Sequence, residues 1–118
     1  MRVLIVDDNE ELLGFLALSL KEADVDVACA QNPEAALHQV EVEKFDALIV
    51  DSVLGSIDGI ELVQRIRGTK NGRSVPILMM STIGTALARR MATSAGCNEF
   101  LVKPFGLMQF IEQVKRLR

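Results

Sequence analysis

The sequence predicts an α/β fold of the doubly wound kind: five βα units in succession, forming a five-stranded parallel sheet with helices on both faces. Two observations predict it. Short apolar runs rich in Val and Ile recur along the chain almost without polar interruption, as strands buried on both faces do. Between them lie segments whose apolar residues repeat at helical spacing, and such alternation implies right-handed crossovers around a parallel sheet. Composition agrees: the 118 residues are 49% hydrophobic and 25% charged, within the range of one soluble globular domain.

The elements follow in order. RVLIVD (residues 2–7) is the first strand, and Leu12, Leu13, Leu16 and Leu20 mark the apolar face of the helix after it. DVDVACA (24–30) is a shorter, more polar strand candidate. Asn32-Pro33 then starts the second helix, a capping residue followed by Pro at the first helical position, with Leu37 and Val40 on one face. FDALIVD (45–51) is the third strand; Ile60, Val63 and Ile66 mark the third helix, which Gly68 can end. VPILMMS (75–81) is the fourth strand, and the fourth helix runs from Thr85 to about Ala95, closed by Gly96. NEFLVK (98–103) is the fifth strand, and Leu107, Phe110, Ile111, Val114 and Leu117 form the stripe of the last helix. No linker, repeat or low-complexity tract interrupts the chain, so residues 1–118 are expected to form one domain.

Some functions are disfavoured at once. A net charge of −3 argues against a nucleic-acid surface. No run approaches the ~18 apolar residues of a membrane span, and no signal-peptide pattern precedes the first strand, so a cytoplasmic location is expected. Cys29 and Cys97 sit among apolar residues and are expected to be small buried hydrophobes in a reducing compartment. His38, on the second helix, is expected at the surface.

In open α/β sheets the ligand site lies beyond the carboxyl ends of the strands. The first strand ends on Asp7 and Asp8, the third on Asp51, the fourth on Ser81 and the fifth on Lys103. Each has an ordinary explanation alone: a helix cap, a turn acid, a hydroxyl on a local backbone group, a solvated lysine. Together they put three carboxylates, a hydroxyl and an ammonium on one rim. Two carboxylates ~4 Å apart repel by roughly 4 kcal/mol at an effective dielectric of ~20, so the adjacent pair is either splayed into water or faces a cation.

These residues, with Asp58-Gly59 and Lys103-Pro104-Phe105, make the whole chain resemble the receiver domain of two-component response regulators, the chemotaxis-protein-like, flavodoxin-like fold. The resemblance implies strand order 2-1-3-4-5. It implies that Asp51 is the nucleophile, taking a phosphoryl group from a phosphohistidine on a histidine kinase or phosphotransfer protein. It implies a hard divalent ion, Mg²⁺ or Mn²⁺, held by Asp8, Asp51 and the backbone carbonyl of Val53, with Asp7 acting through water. Ser81 and Lys103 would bind the phosphoryl oxygens, with Thr82 beside them where a small residue is usual. Phe100 would be the aromatic that turns inward when Ser81 moves. The Lys103–Pro104 peptide would be cis, although only ~5–6% of X–Pro bonds are. The output surface would be the fourth helix, fifth strand and fifth helix, open to an unidentified protein target or to a dimer, with Arg89 and Arg90 either partner contacts or a solvated face.

The sequence also departs from the family. Ser81 replaces the commoner Thr but keeps the hydroxyl. Gly55 stands where many receivers have Pro, which leaves that loop more flexible, and Val53 and Ile83 are apolar where polar side chains often flank the phosphoryl group. Three alternatives compete. A haloacid-dehalogenase-type phosphatase needs a second acid two residues after its nucleophile, and that position is Val53. A flavin-binding flavodoxin needs a hydroxyl-rich phosphate loop and aromatics to stack the ring, yet the chain has neither Trp nor Tyr. A pseudo-receiver would bind partners without being phosphorylated.

Overall fold

The computed structural model describes residues 1–117. Ten elements alternate: β1 (Arg2–Val6), α1 (Glu10–Glu22), β2 (Asp26–Ala30), α2 (Pro33–Val42), β3 (Ala47–Asp51), α3 (Gly59–Arg67), β4 (Ile77–Ser81), α4 (Ala86–Ala95), β5 (Glu99–Val102) and α5 (Leu107–Arg116). All strand pairings are parallel, in the order β2-β1-β3-β4-β5 that the resemblance implies.

The two-residue period of the strands sorts their side chains into two cores. Leu4, Leu48 and Ile77 point to one face, where Val40 of α2, Leu62 and Ile66 of α3 and Ala92 of α4 cover them. Val3, Ile5, Ile49 and Leu78 point to the other, against Leu13, Leu16 and Leu20 of α1 and Phe110 and Val114 of α5. The central strands are therefore apolar on both faces, which is why they read as unbroken runs.

Helix starts are written locally. Asn9, Asn32, Asp58 and Thr85 are the N-caps of α1 to α4, and each side chain accepts a hydrogen bond from the backbone N–H three residues on. Gly96 ends α4 with φ +118°. Arg67, the last residue of α3, had no particular signal in the sequence. Its guanidinium donates to the carbonyls of Gly72, Val75 and Gly96 and to Oδ1 of Asn98, tying the loops before β4 and before β5 together.

Two expectations are corrected. Cys29 is exposed, because β2 is an edge strand with no neighbour on its outer side to complete the burial. Cys97 is buried, and burial pushes its thiol pKa up to about 11, as suits an inert packing residue. Leu107 belongs to the α5 stripe by spacing but is 36% exposed, because it borders an open cleft rather than the core.

Candidate functional site

Strand register assembles the site. Val6 of β1 pairs with Val50 of β3, so Asp7 and Asp51, each the next residue, emerge side by side. Asp51 pairs with Met80, which brings Ser81 to the same edge, and Ser81 pairs with Val102, the residue before Lys103. The backbone N–H of Lys103 donates to the Ser81 carbonyl at 2.8 Å, and the Lys103–Pro104 peptide is cis.

Side-chain oxygens of Asp7, Asp8 and Asp51 lie within 4.8 Å of one another. Asp7 is fully buried, Asp51 is buried and Asp8 is exposed. Lys103 Nζ is 2.7 Å from Oδ1 of Asp51 and 3.6 Å from Oδ2 of Asp7. Asp7 Oδ1 accepts the backbone N–H of Asn9 at 2.9 Å, while its buried Oδ2 accepts no hydrogen bond among the described residues. Burial pushes the Asp7 carboxyl above its ordinary pKa, and the charges of Asp51 and Asp8 push the same way; the Asn9 N–H and Lys103 oppose them. Three carboxylates facing one ammonium leave excess negative charge, and an orphaned buried oxygen wants a cation. The donors are all hard oxygens, so this chain's residues fit a Mg²⁺-type ion.

The other predicted site residues lie around this cluster. Ser81 is buried, and its Oγ accepts the Ile83 backbone N–H at 3.1 Å. Thr82 is exposed and borders, with Lys103, Leu12 and Phe15, an apolar cleft of about 570 Å³. Val53 and Ile83 are 64% and 60% exposed at the mouth, and the Val53 backbone bridges to Asp58. Phe100 is half-buried, with the Arg89 guanidinium over its ring. Arg90 and His38 are exposed. Asn9, whose side chain caps α1, also donates its backbone N–H to Asp7, a contact that no side-chain pattern in the sequence marks; one residue does both.

The loop after β3 shows why Asp58 is followed by glycine. Asp58 caps α3, and Gly59 lies so close to β3 that a Cβ would stand 2.4 Å from the Asp51 carbonyl oxygen. That is backbone against backbone and cannot yield cheaply. Gly59→Ala is expected to lower stability by about 1–3 kcal/mol and to displace the acceptor end of β3, weakening metal binding as well. Denaturant unfolding with and without Mg²⁺ checks both effects. Gly55 has φ +83°, a conformation closed to proline, so this loop takes a different path from one with Pro there.

Comparison with known proteins follows the same lines. The sequence profile of the response regulator receiver domain matches residues 3–115. The chain is 30% identical over 116 residues to the alkaline phosphatase synthesis transcriptional regulatory protein PhoP of Bacillus subtilis, covering 98% of this chain and 48% of that protein. It thus spans about half the length of the curated relatives it matches. Its fold is similar to that of chemotaxis protein CheY4 of Vibrio cholerae, with TM-score 0.94 and 26% identity over 99% of this chain and 98% of that one. It is also similar to the receiver domain of a Pseudomonas aeruginosa sensor histidine kinase whose structure has a magnesium ion coordinated in the active site cleft. There the TM-score is 0.89, with 27% identity over 98% of this chain and 95% of that one.

Proposed function

The chain belongs to the response regulator receiver family, the signalling domains that work with histidine kinases or phosphotransfer proteins, and from that premise we propose that residues 1–118 act as one phosphorylation-controlled switch with Asp51 as acceptor. What carries the reading is the contact of Lys103 with Asp51 beside a buried Asp7 oxygen that accepts no hydrogen bond among the described residues.

In the proposed reaction an Asp51 carboxylate oxygen forms a bond to phosphorus. The phosphorus–nitrogen bond of the donor's phosphohistidine breaks, and the imidazole leaves with the electron pair. Phosphoryl transfer needs mainly positioning and neutralisation of charge on the transferred oxygens. Lys103, already on Asp51, donates to one of those oxygens, and Ser81 to another. Asp8, Asp51, the Val53 carbonyl and Asp7 would hold a divalent cation, Mg²⁺ or Mn²⁺, which when bound neutralises charge on the phosphoryl oxygens. Supporting this is the magnesium in the active site cleft of the similar Pseudomonas receiver.

The same contacts work as a switch. Moving a two-state equilibrium from 1:99 to 99:1 takes ~5.5 kcal/mol of differential binding. Charge-assisted hydrogen bonds contribute roughly 1.5–3 kcal/mol each, so a new one from Ser81 supplies part of this, and the move of Lys103 from Asp51 to the more highly charged phosphoryl group adds to it. Ser81 would give up the Ile83 N–H to reach the phosphoryl group, and Phe100 would turn inward behind it. The face of α4, β5 and α5 would then present the changed surface to a protein target or a second copy.

The test is intact mass after incubation with Mg²⁺ and acetyl phosphate. One added phosphoryl group is expected, absent in Asp51→Asn and after chelation. No gain in folded wild type would overturn the reading and favour a pseudo-receiver. The mouth residues carry a further expectation. Apolar Val53 and Ile83 cannot orient an attacking water, so the aspartyl phosphate is expected to be long-lived and Val53→Asn to hydrolyse several-fold faster. Decay followed after donor removal decides; wild type decaying as fast as the variant sinks the idea.

A further inference from the structure

Phe100 stands as a wall between two recesses. Outside it is a polar hollow of about 210 Å³ bordered by Arg89, Thr93 and Asn98. On its inner, Ser81 side is a recess of about 190 Å³, open to solvent at its mouth and bordered by Val53, Met79, Ser81 and Met91. Phenylalanine has no hydroxyl, so no side-chain hydrogen bond can hold the ring on the outer side. What lies there is Arg89, whose guanidinium carbon is 5.0 Å from the ring centroid, close enough for attraction to the ring quadrupole. Among the described residues Arg89 makes no ion pair, so no carboxylate competes for it.

We propose that Arg89 is a latch on Phe100: its cation–π contact keeps the ring across the inner recess's wall and sets how often the unphosphorylated protein places the ring inside, behind Ser81. The latch's use in signalling rests on the phosphoacceptor reading; its existence does not. A ring turned into the inner recess leaves the outer side, so contact with Arg89 is made in one state and lost in the other. An interaction that differs between two states shifts their populations by its own size. Cation–π contacts at exposed sites are weak, and losing one raises the inward population by about 2- to 5-fold. Arg89 is thus a positioning residue, acting on the switch through Phe100 without touching the phosphoryl group.

The test reads the ring in unphosphorylated protein. Three-bond couplings from the Phe100 Cγ to its backbone nitrogen and carbonyl carbon give its χ1 populations by NMR. Arg89→Gln, on an exposed helix position and nearly neutral in helix propensity, should raise the inward rotamer about 2- to 5-fold. Arg89→Lys, which keeps a cation, should fall between this variant and wild type. Unchanged populations in Arg89→Gln, or a lysine variant indistinguishable from the glutamine one, would overturn the latch. Because no phosphoryl group enters the measurement, failure here leaves the phosphoacceptor reading standing. Absence of phosphoryl uptake by wild type would remove that reading and leave the latch intact.

Discussion

Lys103→Met is expected to cut phosphoryl uptake from acetyl phosphate by about 10²–10³-fold, the usual cost of removing one preorganised donor to developing charge. The same substitution separates Lys103's two roles. In metal-free protein its ammonium is paired with Asp51 and faces Asp7, both buried, so the variant should lose about 1–3 kcal/mol at neutral pH, less than a fully buried pair because Lys103 keeps some exposure. The deficit should depend on pH with a definite sign. Asp7's folded-state pKa is raised above its ordinary value, and removing Lys103, which opposes that rise, raises it further. For such a group the stability it contributes is present in acid and is lost as pH rises through the folded-state pKa. The variant's deficit should therefore grow from about pH 4 upward and shrink below it, as Asp7 is protonated. Urea unfolding in chelator at two pH values measures this; equal deficits at both would mean that Lys103 does not compensate these carboxylates.

Asp7→Asn should move stability in opposite directions with and without metal. Without it, asparagine can still accept the Asn9 N–H through Oδ1, while the buried charge beside Asp51 and Asp8 disappears. A gain of about 1–2 kcal/mol is expected, since like charges at this spacing repel by a few kcal/mol and the loss of attraction to Lys103 cancels only part. With metal the order reverses. Magnesium at 100 times its Kd stabilises the wild type by about 2.7 kcal/mol. If the variant binds 100-fold more weakly, the same concentration adds only about 0.4 kcal/mol. Thermal melts in chelator and in magnesium should cross; a variant that is less stable in both would mean that Asp7 serves packing rather than the ion.

Much of the molecule is determined by the sequence alone, because the determinants are local. Unbroken apolar runs such as ALIV before Asp51 need no knowledge of neighbours to mark strands buried on two faces. Asn32-Pro33, Thr85 and Gly96 mark helix ends through their own backbone preferences. Asp7, Asp8, Asp51, Ser81 and Lys103 are recognisable because each stands at a strand's end, and the rule that strand ends make the site holds for the fold class as a whole. Tertiary structure decided what depends on who lies next to whom. Strand order, inferred from family resemblance and not from periodicity, makes β1 and β3 neighbours and so sets Asp7 against Asp51. Burial then gives Asp7 its raised pKa and its orphaned oxygen, and Lys103 its partners. An edge position exposes Cys29, whose apolar flanks suggested the reverse. Arg67 and Arg89 look alike in sequence, each a helical arginine. One is a staple across two loops and the other lies on an aromatic ring, because these contacts depend on how elements pack against one another and not on the residues beside each arginine in the sequence.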